Sequence, residues 1–249
     1  MLRRFLYSIL LVSFSVSAAC AADLKLVTPG ALLSSLKVLL PEFEKATGHK
    51  VTVVLSPALA VAKRLEKEPF DIAILGQGSA RELEKQGKLF DAVVVARSGV
   101  GAFVRRGDPK PDISDVDAFV RALRNAKVIT YSDPALGGSA SNYVATLLAK
   151  LDTTGEIKAK TKLAVEYRSI ANIVAAGGVD IALNQIAEIM ADSRLELIAP
   201  LPAPIQRYTN YAAGVLATSA HRKVGQELIA YMGTPAAVKV MRSKGFEPK

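Results

Sequence analysis

Residues 137–142 read GGSASN, between the apolar run KVITY (127–131) and the helix-patterned stretch SNYVATLLAKL (141–151). Glycines let a backbone approach a ligand closely, and the first amides of a helix have no internal acceptor. Hydroxyls beside such amides make a donor cluster suited to an anion. Similar sets recur. Thr28-Pro29-Gly30, Ser56-Pro57-Ala58, Gly76-Gln77-Gly78-Ser79, Arg168-Ser169 and Asn184-Gln185 each follow an apolar run. The candidate ligand contacts are therefore Thr28, Gly30, Ser56, Gln77, Ser139, Ala140, Ser141, Arg168, Ser169 and Gln185. A serine before a helix is otherwise an ordinary N-cap worth about 1 kcal/mol. Several such loops converging on one cleft favour the anion, because desolvating a charge demands many hydrogen bonds. Arg168 fits either a two-pronged grip on a carboxylate or a solvated surface role.

Groups for catalysis are sparse. The two histidines, His49 and His221, fall at turns expected to face solvent. No metal-ligand spacing, nucleophile elbow or phosphate-loop motif occurs, so neither a metal nor a cofactor is expected and catalytic residues stay unassigned. Asp133 and Glu188 lie near strand ends; they could move protons or serve as caps and salt-bridge partners.

The elements that must position these loops alternate in type. LKLVT (24–28), KVTVVL (50–55) and FDIAIL (70–75) read as strands, and stretches 31–48, 58–67 and 80–88 as helices. A β-α-β-α-β order implies a parallel sheet. Residues 91–107 read as extended chain crossing to a second lobe. There helices at 112–126, 141–151 and 170–178 alternate with strands at 127–131, 164–168 and 179–185. Residues 195–202 and 208–219 read as extended chain returning, and two helices split at Gly233-Thr234-Pro235 close the sequence. The fold class is α/β with two lobes, each a mainly parallel sheet flanked by helices, joined by two crossing strands. Residues 23–95 with 203–249 form lobe 1 and residues 96–202 lobe 2. In open α/β sheets ligands bind beyond the carboxyl ends of the strands, which is where the loops above lie.

Residues 1–22 read as a secretory signal peptide. MLRR is positive, FLYSILLVSFSVSAA is apolar but short for a span, and SAACAAD offers small residues for cleavage. A periplasmic location follows. Cys20, the only cysteine, leaves with the signal or carries a lipid anchor. No disulfide is available afterwards, and a chain of this length does not need one. The formal net charge is +9, with basic residues scattered along the helices rather than in blocks. Attraction of a small anion fits this better than nucleic acid, which an exported protein does not meet. The lack of Trp disfavours a sugar-stacking cleft.

FEKATGHKV (43–51), KRLEKEPFDIAIL (63–75), VITYSDPALGGSASNYVATLL (128–148), VAAGGVDIALNQIAEI (174–189) and the segment 212–248 together resemble the molybdate-binding branch of the class II periplasmic solute-binding proteins. The resemblance implies the periplasmic-binding-protein type II fold, a monomer, ligand capture by hinge closure and delivery to the permease of an ABC transporter. Molybdate binders of that branch carry serines in the loops after the first two strands and a tyrosine late in the second lobe. Here Thr28-Pro29-Gly30 and Ser56-Pro57-Ala58 occupy those loops and Gln185 stands about where the tyrosine falls, which leaves room for an organic acid. Residues 182–202 resemble a side branch that includes a periplasmic aconitate isomerase, an enzyme on the same fold. That likeness implies, as an alternative, isomerisation of an unsaturated tricarboxylate.

Overall fold

A computed structural model describes residues 21–166 and 169–247; Arg168 and nearly all of the expected signal peptide lie outside the described residues. The first α/β series runs β1 (Asp23–Thr28), a 3-10 turn (Gly30–Leu32), α1 (Leu33–Thr47), β2 (Lys50–Leu55), α2 (Ala58–Leu65), β3 (Ile72–Gly76) and α3 (Gln77–Lys85). The long strand β4 (Leu89–Arg105) leads to α4 (Val116–Asn125), β5 (Ile129–Ser132), α5 (Ser139–Leu151), α6 (Glu156–Ala159), β6 (Thr161–Ala164), α7 (Ile170–Ala175), β7 (Ile181–Gln185) and α8 (Ile186–Ile189). The chain returns through β8 (Leu195–Pro200) and β9 (Tyr208–Leu216) and ends in α9 (Arg222–Met232) and α10 (Pro235–Ser243).

Local sequence explains most of these elements. α1 buries Leu36, Leu39, Leu40 and Phe43, which recur at three- and four-residue spacing. Gly48 ends it in the left-handed region at φ 76°, its amide donating to Glu44 O at 2.8 Å. β3 is buried on both faces, so IAIL carries no polar alternation. Asp115 rather than Asp112 or Ser114 caps α4, accepting from the Ala118 amide at 2.7 Å.

The strands form one nine-stranded sheet in two halves, in the order β2-β1-β3-β9-β4-β7-β5-β6, with β8 also paired to β4. β2, β1 and β3 are mutually parallel, and β9 runs antiparallel to β3 and to the first part of β4. β6, β5 and β7 are parallel in the other half, where β7 and β8 run antiparallel to the second part of β4. Each lobe is thus a parallel trio, as expected, edged by antiparallel crossing strands that make the whole sheet mixed. β4 is the spine common to both. A Cβ at its Gly101 would lie 2.8 Å from Ile186 Cγ1 and 2.9 Å from Leu197 Cδ1, so the close packing of α8 and β8 onto the spine requires glycine. One core gathers Leu24, Leu36, Phe43, Ile72, Ile74 and Val215; another gathers Phe119, Leu123, Ile129, Val144, Ile181 and Leu183.

Two expectations are corrected. The strand read at 164–168 lies earlier, at Thr161–Ala164, because TKLA pairs in parallel register with Ile129–Ser132, leaving Val165 65% exposed. His49 does not face solvent. It is buried beside Phe43, and its Nδ1 accepts the Ala22 amide at 3.1 Å, pinning the start of β1 to the α1–β2 turn.

Candidate functional site

The carboxyl ends of β1, β3, β5 and β7 open onto a cavity of about 230 Å³. Lobe 1 contributes Gly30 and Ala31 from the first 3-10 turn, and Gly76 and Ser79 from the start of α3. The other lobe contributes Gly138 through Ser141 at the start of α5, Ile170 and Ala171 of α7, and Asn184, Gln185 and Glu188 around α8. Thr209 and Tyr211 of β9 complete the wall. Across it, a Cβ on Gly76 would lie 3.7 Å from Ser139 Oγ, so the two lobes nearly touch at this point.

Four of the helical elements beginning on the cavity wall have no side-chain cap among the described residues. The turn after Pro29, α3 after Gly76, α5 after Gly138 and α7 after Ser169 all lack one. Side-chain caps occur on α4 at Asp115 and α10 at Thr234, which begin elsewhere, and are absent also from α1, α2, α6 and α9. The leading amides of α3 and α5 therefore enter the cavity unclaimed by side chains, from opposite lobes, each at the positive end of its helix dipole. Together they form a donor surface complementary to negative charge. Acidic side chains also border the cavity, Glu188 and Asp192, while no Lys or Arg does among the described residues. Asp192 is committed: Arg194 bonds it at 2.6 and 2.9 Å, and this guanidinium, with the Arg194 amide, holds its carboxyl below the ordinary range against the opposing effect of burial. Glu188 Oε2 accepts from Asn184 Nδ2 at 3.0 Å.

The ten residues singled out in the sequence divide as follows. Gly30, Ser139, Ala140, Ser141 and Gln185 line the cavity. Ser141 is buried and donates to Gly138 O at 2.9 Å. Gln185 is buried where the crossing strands meet. Its Nε2 donates to Ser98 O and, at 3.2 Å, to Gly99 O, and its Oε1 accepts from Thr209 Oγ1 at 3.1 Å. Gln77 stands outside, on the rim, accepting from Asn210 Nδ2 at 3.1 Å. Thr28 and Ser56 are buried behind the wall, each directed at the carbonyl of the proline that follows it. Ser169 lies at the start of α7 with its hydroxyl on Glu166 O at 2.8 Å. Arg168 is outside the described residues.

Thr209 and Tyr211 were not anticipated. They sit two apart on β9 and so share one face, a period-two signal hidden in a segment read only as returning chain. Tyr211 is held edge-on against Phe246, their ring centres 5.9 Å apart. Asp133, read as a proton carrier or a cap, caps the turn Pro134–Leu136 through the Ala135 amide at 2.8 Å. No cluster of three or more His, Cys, Asp or Glu suited to a metal occurs among the described residues.

A two-lobed α/β fold, with loops of both lobes facing one cavity across crossing strands, defines a binding protein that encloses its ligand. The chain belongs to the bacterial extracellular solute-binding protein family, whose pattern matches residues 24–247. It is 27% identical over 241 residues to an aconitate isomerase of Pseudomonas sp, covering 94% of this chain and 90% of the relative. It is 26% identical over 240 residues to the molybdate-binding protein ModA of Azotobacter vinelandii, covering 92% and 91% respectively. Among solved structures, the sulfate-binding protein SubI of Mycobacterium tuberculosis H37Rv superimposes with a TM-score of 0.72 at 21% identity, covering 91% of this chain and 87% of that one.

Proposed function

We propose that this protein captures a small anion, an oxyanion or an organic acid, between its lobes and delivers it to an ABC transporter. The observation that carries this reading is the entry of α3 and α5 into one cavity from opposite lobes, both without side-chain caps. The names of the relatives above, which bind or act on molybdate, sulfate and aconitate, support the same ligand class. In this reading the chain is exported with residues 1–22 as its leader and works in the periplasm as a monomer. Lobe 1 comprises 23–95 and 203–249, and lobe 2 comprises 96–202. Gly30, Ser139, Ala140, Ser141 and Gln185 are ligand contacts, Gln77 guards the rim, and Thr28, Ser56 and Ser169 support the loops from behind. A thermal-shift panel of sulfate, molybdate, citrate and the aconitates tests it. A ligand at a hundred times its Kd adds about 2.7 kcal/mol, which raises the melting temperature by roughly 5–10 °C in a protein of this size. A flat response across the panel refutes the proposal.

Glu188 favours a second reading. Its carboxylate borders the cavity, where a base could reach a bound ligand. As an isomerase of an unsaturated tricarboxylate, the protein uses Glu188 to take a proton from the saturated carbon beside the double bond. It returns that proton to the far end of the allylic anion. The double bond shifts, no electrons leave the substrate, and no cofactor is needed. Glu188→Gln then abolishes interconversion of cis- and trans-aconitate while keeping ligand-induced stabilisation. Strong tricarboxylate binding without turnover by the parent protein removes this reading and leaves the first intact.

A further inference from the structure

The cavity opens outward into a further groove. This open outer chamber, a surface groove of about 540 Å³ lined mostly by exposed residues, adjoins it and shares Gly76, Ser79, Ser139 and Thr209 as common walls. Its remaining lining is polar: Gln77, Asn142, Tyr143, Thr146, Arg207 and Asn210 are prominent. The two chambers differ in charge. Among the described residues no Lys or Arg borders the inner one, whereas Arg207 lines the outer one.

Arg207 is positioned at its backbone. Its amide donates to Gln206 Oε1 at 2.8 Å, and its carbonyl accepts from Val100 N at 3.2 Å. Gln206 in turn clamps Val100 of the spine strand through Nε2 to Val100 O at 3.0 Å. The residue is thus fixed where the crossing strands meet, while its exposed guanidinium makes no ion pair among the described residues. The neighbouring Arg97 differs: Glu247 neutralises it at 2.7 Å, and it lies over the Tyr208 ring. Tyr143 lines the same groove as Arg207, and its hydroxyl donates to Ile205 O at 2.6 Å. The Arg207 charge partly offsets the upward push that burial exerts on that hydroxyl.

Resting on the anion-binding reading above, we infer that the ligand is an elongated organic polyanion. One acidic group lies at the helix ends of the inner chamber, and a second acidic group lies in the outer chamber against Arg207. A single-headed oxyanion fills one chamber and leaves the guanidinium without a partner. A di- or tricarboxylate spans both and receives two parallel N–H bonds from Arg207.

The test compares titration calorimetry of the parent protein, Arg207→Gln and Arg207→Lys with citrate, trans-aconitate and sulfate, after melting curves show that the variants fold. Arg207→Gln is expected to weaken the tricarboxylates at least about tenfold and to leave sulfate within about twofold. Arg207→Lys is expected to fall between, because it restores charge without the planar fork. Equal tricarboxylate affinity in parent and Arg207→Gln overturns the inference. So does equal loss for sulfate and tricarboxylates, which assigns Arg207 a general field effect. A parent that binds sulfate but no tricarboxylate also overturns it while the anion-binding reading stands; a parent that binds none of the three overturns both.

Discussion

Ser139 and Ser141 are two residues apart on the same helical turn, yet their hydroxyls are engaged differently in the unliganded fold, and substituting each alone tells the two apart. Ser139 is exposed at the boundary of the two chambers, and no hydrogen bond of its hydroxyl to the protein occurs among the described residues. Ser139→Ala therefore removes nothing that holds the unliganded fold. Alanine is also the better helix former, by a few tenths of a kcal/mol. If the hydroxyl donates to a charged ligand, its loss costs about 1.5–3 kcal/mol of binding, which is roughly a ten- to 150-fold rise in Kd. Ser141 is buried and donates to Gly138 O, but that carbonyl also accepts the Asn142 amide at 3.1 Å. Removing the Ser141 hydroxyl leaves no orphaned acceptor, so the cost to stability falls at the low end, about 0.5–1 kcal/mol, or roughly 1–4 °C in melting temperature. Calorimetric titration with the best anion of the panel, together with melting curves of the unliganded variants, reads both quantities. A Kd unchanged by Ser139→Ala refutes the assignment of that hydroxyl to the ligand. A Ser139→Ala variant that melts well below the parent refutes the claim that it is idle in the unliganded fold.

Gln185→Leu deprives Ser98 O and Gly99 O of their side-chain donor and Thr209 of its acceptor; it should cost about 1–3 kcal/mol and lower the melting temperature by roughly 2–12 °C. Melting within 1 °C of the parent, to order of magnitude, would mean that these buried bonds contribute nothing net. Acid sensitivity supplies another check. The carboxyl of Asp192 is depressed in the folded state, first by Arg194, so the stability it contributes is fully present above the ordinary carboxylate range and is lost as pH falls through its folded value. Asp192→Asn should therefore melt below the parent at neutral pH, and the gap should close as the pH drops below about 4. A gap that stays constant down the acid limb contradicts the role given to the Asp192–Arg194 pair.

Much of the architecture was legible because it rests on local patterns. The parallel trios follow from short β-branched runs separated by amphipathic stretches. Gly48 and Pro235 mark helix boundaries through backbone chemistry alone. The loops after the strands were also readable as the functional face, since a β-α order dictates which sheet edge they occupy. The misplacement of β6 and the burial of His49 show where this stops. TKLA and AVEYR are both plausible strands, and only pairing with Ile129–Ser132 selects the first. His49 sits in a turn that looks solvated until β1 brings the Ala22 amide to it.

The sequence by itself determined that hydroxyls and glycines would stand at helix starts, because capping and turn chemistry act over a few residues. Only the tertiary structure decided which of them meet. Folding the two lobes onto a shared β4 places Ser139 against Gly76, turns Thr28 and Ser56 inward behind the wall, and recruits Thr209, Tyr211 and Arg207 from the returning chain. Those partners are far apart along the chain. Their proximity is fixed by strand pairing and by the packing of α8 and β8 against Gly101, interactions that no local pattern encodes.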